Sequence, residues 1–184
     1  MNIVGKRVIM RAIERTDLPA LMSWANDPQI QYALGGWHFP SSSSVMDRWF
    51  ESIQKDELNQ RFAVTLDGLL VGTANLVSIN WKDRNAFHGM LLGDPAIRGR
   101  GVGQDVVMTV MRYAFRELGL NRLDGSIIED NEPSRKLYVV KCGWKVEGTM
   151  RKWYYRKGRY WDKLIVGVTA EEYFALEAAT HYWD

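Results

Sequence analysis

The stretch AFHGMLLGDPAIRGRGVGQDVVMTVMRYAFREL, residues 86–118, decides the fold class, because a strand pattern passes through a glycine-rich turn into a helix pattern. Residues 86–92 are mostly apolar and are followed by Asp94-Pro95, which is typical of a strand that ends in a turn. After the turn, apolar residues recur three and four positions apart, as on one helix face: Val106, Val107, Val110, Met111, Ala114, Phe115 and Leu118. A further strand pattern at residues 123–129 predicts a β-α-β unit whose two strands are parallel.

Outside this unit the sequence predicts antiparallel strands. Residues 61–66 and 69–79 are β-rich runs joined by Asp67-Gly68, which is a strong hairpin signal. Two more strands, at residues 144–155 and 160–168, flank a short basic turn. These patterns predict an α+β fold with a mixed, mostly antiparallel central sheet in a single domain spanning residues 1–184.

The remaining patterns predict an edge strand and several short helices. Residues 7–13 alternate apolar and basic side chains, which favours an edge strand. The helix pattern that begins after Thr16-Asp17 ends at Asn26-Asp27-Pro28, and the serines at residues 41–44 precede the next helix. Gly119 is placed to end the long helix. Two later helices are expected at residues 133–141 and 170–179.

Composition excludes several classes of protein. The chain has 24 Lys and Arg against 22 Asp and Glu, a formal net charge of +2, so no strong field favours nucleic acid or an anionic membrane. Cys142 is the only cysteine, and the three histidines are far apart, so neither a disulfide framework nor a metal site is expected. The chain lacks a long apolar run and an apolar leader, so we expect a cytoplasmic protein.

The glycine-rich turn Arg98-Gly99-Arg100-Gly101-Val102-Gly103 carries the chemistry. Glycines allow a ligand to approach the backbone closely, and the helix N-terminus that follows favours an anion such as a pyrophosphate. Two arginines add positive charge. The turn is neither a Walker loop nor a regular dinucleotide fingerprint, and glycine-rich turns are common, so alone it indicates little more than an anion site.

Further along the chain three short motifs follow in a specific order: Asn131-Glu132-Pro133-Ser134 with Tyr138, then Gly143-Trp144, then Glu147-Gly148. With the glycine-rich turn they make the sequence similar to the GCN5-related N-acetyltransferases (GNAT), especially the branch of ribosomal-protein-alanine and spermidine acetyltransferases. The resemblance runs from about residue 7 to residue 168. It implies acceptor-side helices and a loop at residues 7–60, a cofactor-binding core at 61–143 and a C-terminal hairpin and helix at 144–184.

The resemblance implies acetyl-CoA as cosubstrate, without a metal, bound where the sheet is splayed at the β-α-β unit. Strand residues Met90, Leu91 and Leu92 match those that pair with the pantetheine arm. Asn131 and Ser134 match positions that adjoin the cofactor, and Tyr138 matches a tyrosine near the thioester sulfur. The implied pyrophosphate loop consists of Arg98, Gly99, Arg100, Gly101, Val102 and Gly103. Gln104 opens the following helix and is expected to add a backbone amide.

Two residues are predicted to be catalytic. A proton donor assists departure of a thiolate, and Tyr138 has a suitable phenol; the alternative is a packed helix tyrosine. His88 stands where many relatives of this branch have a glutamate base, and a neutral imidazole accepts a proton near pH 7. The alternatives for His88 are a hydrogen-bonded strand histidine or a support on the cofactor side.

The acceptor is predicted to be a primary amine of a small molecule, such as a polyamine, an amino acid, an amino sugar or a drug. Trp37, His38 and Trp81 are the predicted substrate-binding residues. Acetylation of a protein N-terminal alanine or serine is the alternative activity, and a non-catalytic acetyl-CoA-binding domain is the alternative from another class. The aromatic last hairpin and C-terminus favour a homodimer.

Overall fold

The computed structural model describes residues 1–35 and 39–184, and its centre is an eight-stranded sheet. The strand order is β1-β2-β3-β4-β5-β6-β8-β7, and each neighbouring pair is antiparallel except β5 and β6. This confirms the predicted α+β fold with a mixed, mostly antiparallel sheet in one domain. The strands are β1 (Ile3–Val4), β2 (Val8–Ala12), β3 (Gln60–Leu66), β4 (Leu69–Asn80), β5 (Asn85–Leu92), β6 (Arg122–Ile128), β7 (Lys145–Arg156) and β8 (Arg159–Thr169).

Helices cover both faces of the sheet. Two of them continue into π-helical segments, at Tyr113–Glu117 and at Lys136–Lys141. Short 3₁₀ turns at Arg15–Asp17 and Pro95–Ile97 precede α1 and the glycine-rich turn. The helices are α1 (Leu18–Ala25), α2 (Pro28–Ala33), α3 (Ser43–Ile53), α4 (Val102–Arg112), α5 (Glu132–Arg135) and α6 (Ala170–Thr180).

The apolar residues form two cores, one on each face of the sheet. The larger core joins α4, the second π-helical segment and α6 to the sheet, and includes Val64 of β3. The smaller core joins α1 and α3 to the other face, and includes Ala63. Neighbouring residues of β3 therefore belong to different cores, as the period of two in a strand requires.

The sheet opens between its two parallel strands. β5 and β6 pair only from Asn85–Arg122 to Phe87–Asp124. Beyond that point β5 remains paired with β4 as far as Leu92, while β6 remains paired with β8 as far as Ile128. Because both strands continue without pairing each other, a cleft opens at their carboxyl ends, and His88 is the first β5 residue beyond the paired segment.

Two local predictions are confirmed in detail. Asp67 and Gly68 both have positive φ, 51° and 80°, which is the backbone of a two-residue type I′ hairpin turn. Gly119 has φ 63° and directly follows Leu118, the C-cap of the α4 extension, as expected of a helix-terminating glycine.

Two other predictions need correction. The strand at residues 8–12 is not an edge strand, because the two-residue β1 pairs with its outer side. The Asn26-Asp27-Pro28 stretch ends α1 as predicted, but it also begins α2: Asp27 caps the amide of Gln29, and Pro28 is the first helical residue. A proline is well tolerated in that position because its missing N–H would have no intrahelical acceptor.

Candidate functional site

The glycine loop, residues 98–104, follows the 3₁₀ turn at Pro95–Ile97 and includes the first three residues of α4. Gly99 and Gly101 have φ of 74° and 81°, a left-handed backbone that favours glycine. A Cβ built on either residue would meet no atom within 4 Å, so the loop is open on the side of these glycines. The sequence places glycine here because of backbone conformation rather than crowding.

The start of α4 offers backbone donors to an anion. Gly101 is the N-cap and supplies no side-chain cap, and the first intrahelical bond runs from the Asp105 amide to the Gly101 carbonyl at 3.1 Å. The amides of residues 102–104 therefore have no carbonyl acceptor within the helix. Arg98 and Arg100 are exposed beside them. Free amides, the helix dipole and two guanidinium groups together favour a phosphate or pyrophosphate.

Tyr138 and His88 meet inside the molecule at the start of the cleft. The Tyr138 hydroxyl lies 3.2 Å from His88 Nε2, and His88 Nδ1 lies 2.9 Å from the Asn75 carbonyl oxygen. A carbonyl only accepts hydrogen bonds, so Nδ1 carries the imidazole proton and Nε2 accepts from the tyrosine. A chain of two hydrogen bonds thus runs from Tyr138 through His88 to the backbone of β4.

Burial sets the protonation of this pair. His88 is 2% exposed, and burial lowers its pKa to about 4, although the hydrogen bond to Asn75 acts in the opposite direction. Burial also raises the pKa of Tyr138 well above its ordinary value. Both effects follow from the cost of a charge in a low-dielectric interior. At neutral pH the tyrosine therefore keeps its proton and the histidine is uncharged.

Trp144 packs behind both side chains. Its ring centroid lies 5.1 Å from that of Tyr138, edge to face, and 5.9 Å from that of His88. Gly125 of β6 permits this approach, because a Cβ there would come within 3.2 Å of the Trp144 ring. The tyrosine is therefore fixed by aromatic packing as well as by its hydrogen bond.

The other predicted cofactor residues lie along the two sides of the cleft. Met90, Leu91 and Leu92 are half-buried on β5, beyond the segment paired with β6. Asn131 follows β6, accepts the Ser134 amide at 3.2 Å as the cap of α5, and donates to the Ala33 carbonyl at 3.1 Å.

Of the predicted substrate-binding residues, the structure describes only Trp81, and it does not place Trp81 at the cleft. Trp37 and His38 lie outside the described residues. Trp81 is exposed in the turn between β4 and β5, at the end of β5 opposite the glycine loop. His88 is three residues beyond Asn85, the first residue of β5, which is about 10 Å along the strand at the usual rise per residue. The structure therefore does not bring Trp81 to the cleft.

Two residues near the cleft were not anticipated from the sequence. The Asn75 side-chain oxygen accepts a hydrogen bond from the Gly89 amide at 2.9 Å, and the Asn75 carbonyl accepts one from His88. A polar residue within an apolar strand is the sequence signal that could have identified Asn75 as a functional residue. Trp24 of α1 packs on Gly93, where a Cβ would fall 1.9 Å from the indole ring. Trp24 thereby ties the first helix to the end of β5.

Cys142 is fully buried in the larger core. Within residues 1–35 and 39–184, no group of three or more His, Cys, Asp or Glu side chains could hold a metal ion. In the same part of the chain, no helix is long and apolar enough to cross a membrane.

Comparison with known proteins agrees with this geometry. The family model of the acetyltransferase (GNAT) domain matches residues 7–145. An uncharacterized N-acetyltransferase from the SPbeta prophage of Bacillus subtilis is 31% identical over 171 residues, which is 92% of this chain and 93% of the relative. Spermidine N(1)-acetyltransferase of Escherichia coli strain K12 is 26% identical over 168 residues, 91% of this chain and 89% of the relative.

Solved structures show the same fold. The spermidine N-acetyltransferase of Vibrio cholerae, solved in complex with CoA and spermine, superposes with a TM-score of 0.85. That alignment covers 92% of this chain and 99% of the other, at 23% sequence identity.

Proposed function

The chain belongs to the acetyltransferase (GNAT) domain family and is an N-acetyltransferase, and we propose that it transfers the acetyl group of acetyl-CoA to a primary amine of a small molecule. The observation that carries the proposal is the combination at one cleft of an open glycine loop and a buried, protonated Tyr138. The first can hold the diphosphate of CoA, and the second can serve the leaving sulfur.

The residues of the glycine loop fit the cosubstrate. Left-handed glycines at 99 and 101 leave room for a diphosphate, and the free amides of residues 102–104 supply donors. Bound acetyl-CoA supplies the acetyl thioester. Met90, Leu91 and Leu92 would pair with its pantetheine arm, and Asn131, Gln104 and Ser134 complete the proposed binding set.

Tyr138 is the proposed proton donor. An attacking amine loses a proton and the departing sulfur gains one. The Tyr138 hydroxyl can accept the amine proton as it gives its own to the sulfur, once that proton turns away from His88 Nε2. The raised pKa of Tyr138 supports donation of an intact hydroxyl over attack by a phenolate. Alignment of the amine with the thioester by the cleft lowers the barrier further.

His88 is proposed to position Tyr138. Its Nε2 lone pair is already occupied by the tyrosine proton, and a pKa of about 4 makes it a weak base at neutral pH. The sequence left open whether His88 is a base or a hydrogen-bonded support. The occupied Nε2 and the low pKa both favour the role of a hydrogen-bonded support. The support keeps the hydroxyl in one place without placing a charge in the core.

The proposed acceptor class is supported by the relatives. The relatives named as spermidine acetyltransferases favour a small amine, and a polyamine, an amino acid or an amino sugar all satisfy the proposal. Trp37 and His38 stay proposed acceptor contacts.

Exposed aromatic side chains on the last hairpin, Trp153, Tyr155 and Tyr160, support the proposed homodimer, since β7 is at the edge of the sheet. A solution mass equal to one chain at micromolar concentration would exclude it.

The decisive assay is release of free thiol from acetyl-CoA against a panel of amines: diamines, amino acids, amino sugars and peptides with alanine or serine at the N-terminus. We expect thiol release with at least one small amine and acetylation of its primary amino group, identified by mass spectrometry. Release only with peptides would favour protein N-terminal acetylation. Binding of acetyl-CoA without release for any amine would favour a non-catalytic domain.

A further inference from the structure

A buried carboxylate stands in the first turn of α4, directly after the glycine loop. Asp105 is 2% exposed and accepts four hydrogen bonds. Three come from consecutive backbone amides at and just before the start of β2, those of Lys6, Arg7 and Val8, at 2.9, 2.7 and 2.9 Å. The fourth comes from the Tyr182 hydroxyl at 3.3 Å. The carboxylate is thus compensated by donors of the N-terminal segment and of the C-terminus.

This arrangement resolves an electrostatic conflict. A negative charge in the first turn of a helix stabilises the helix, but it would compete with a bound diphosphate for the same amides. The carboxylate oxygens of Asp105 instead bind amides of the N-terminal segment, so the amides of residues 102–104 stay available. Gly5 is needed for this close packing, because a Cβ there would lie 2.6 Å from Thr109 Oγ1 and 3.0 Å from the Asp105 carboxylate.

Asp105 also fixes the residue that reaches the loop. With its backbone amide held by Asp105, Arg7 extends its exposed side chain to the loop, and its Nη1 donates to the Arg100 carbonyl at 2.7 Å. In a trans peptide unit the carbonyl and the following N–H point in opposite directions. Fixing the Arg100 carbonyl toward Arg7 therefore directs the Gly101 N–H away from Arg7, where a ligand can reach it.

We propose that Arg7 is a positioning residue for acetyl-CoA, and that Asp105 and Tyr182 hold it in place. Arg7 acts on the ligand through the peptide unit between Arg100 and Gly101, and it prepares the loop before the ligand arrives. This inference rests on the proposed function, since it requires the glycine loop to bind the diphosphate. Preparing the loop in advance reduces the ordering cost of binding.

The test compares Arg7→Gln with a matched control, Arg112→Gln. Arg112 also donates from its guanidinium to a backbone carbonyl of the N-terminal segment, that of Val4, but from the far end of α4. Both variants lose one arginine–carbonyl bond and one charge, and only Arg7→Gln touches the loop. Arg112→Gln also removes the guanidinium that lies 3.8 Å from the centre of the Trp183 ring, so the control loses at least as many contacts outside the loop. We expect calorimetry to give a CoA dissociation constant about tenfold higher for Arg7→Gln, and less than twofold higher for Arg112→Gln.

Three further readouts separate positioning from direct charge attraction. Because positioning does not depend on screening, the ratio between Arg7→Gln and wild type should persist at about 0.5 M salt. The Michaelis constant for acetyl-CoA should rise while turnover at saturation and the Michaelis constant for the amine stay within twofold. Arg7→Lys keeps the charge without the planar fork of donors and should restore little of the affinity.

The inference is overturned if Arg7→Gln binds CoA as wild type does, if Arg7→Lys restores full affinity, or if the loss disappears at high salt. Tyr182→Phe offers a second route, since it removes one donor to Asp105 without touching the loop; we expect a two- to threefold loss of affinity, and an unchanged constant counts against the proposed support. Wild-type protein that binds no CoA would remove the proposed function itself, an outcome distinct from wild-type binding with unaffected variants.

Discussion

Replacing His88 by glutamine tests the protonation state of the buried pair. His88 has a pKa of about 4 in the folded chain, against an ordinary 6.5. Because the folded state binds this proton less readily than the unfolded state, the histidine favours unfolding in acid. The effect is absent above pH 6.5, grows as the pH falls toward 4, and stays constant below that. His88→Gln removes the titration and keeps a donor and an acceptor.

The magnitude follows from the two pKa values. The difference between 6.5 and about 4 corresponds to about 3.4 kcal/mol once both titrations are complete. At pH 4.5 the linkage relation gives about 2.5 kcal/mol. We therefore expect wild type to lose about 2.5 kcal/mol more unfolding free energy than His88→Gln between pH 7 and pH 4.5.

Urea denaturation at the two pH values, followed by tryptophan fluorescence, measures this difference. The carboxylates that also titrate in this range are shared by both proteins, so their contribution cancels in the comparison. Equal losses of stability in wild type and His88→Gln would refute the description of His88 as a buried neutral histidine. In that case the argument for positioning over base catalysis would fail with it.

Three further substitutions test separate parts of the account. Gly101→Ala forces a left-handed backbone on alanine, which costs about 1–2 kcal/mol, and relief of this strain would move the loop amides, so calorimetry should show about tenfold weaker CoA binding; wild-type affinity would contradict the need for a left-handed residue here. Gly68→Ala carries the same backbone cost of about 1 kcal/mol in a remote hairpin, so the melting temperature should fall while turnover is unchanged; reduced turnover would contradict the remoteness of this turn. The hydrogen bond from Arg11 lowers the Asp17 pKa, so Asp17→Asn should lower the free energy of unfolding at pH 7. The difference from wild type should disappear as the pH falls below about 3.8, and a difference that persists in acid would argue against the ion pair.

The fold could be predicted well because its local signals agree with one another. The Asp67-Gly68 turn and the terminating Gly119 mark element boundaries with residues that tolerate positive φ, and both positions adopt it. Two elements escaped prediction. β1 has only two residues, Ile3 and Val4, which is too short for any periodicity to be visible. α2 begins at Pro28, a residue that ends one helix and begins the next.

The site was predictable in its residue types but not in its contacts. The motifs select Tyr138 and the glycine loop. The period of two along β5 places His88 on the same face as Ala86, which belongs to the larger core, and Met90, which packs against it. No sequence pattern shows that the Asn75 carbonyl fixes the imidazole tautomer, because that contact depends on the register of β4 against β5. The role of Arg7 likewise depends on a contact between residues 93 positions apart.

The most direct test of the central claim is the turnover number of Tyr138→Phe at saturating acetyl-CoA and the best amine of the panel. The substitution removes a single hydroxyl and keeps the ring packed against Trp144. General acid catalysis predicts a fall of about 10² or more in turnover, with the dissociation constant for CoA within twofold of wild type. Turnover within threefold of wild type would contradict the assignment of Tyr138 as the proton donor.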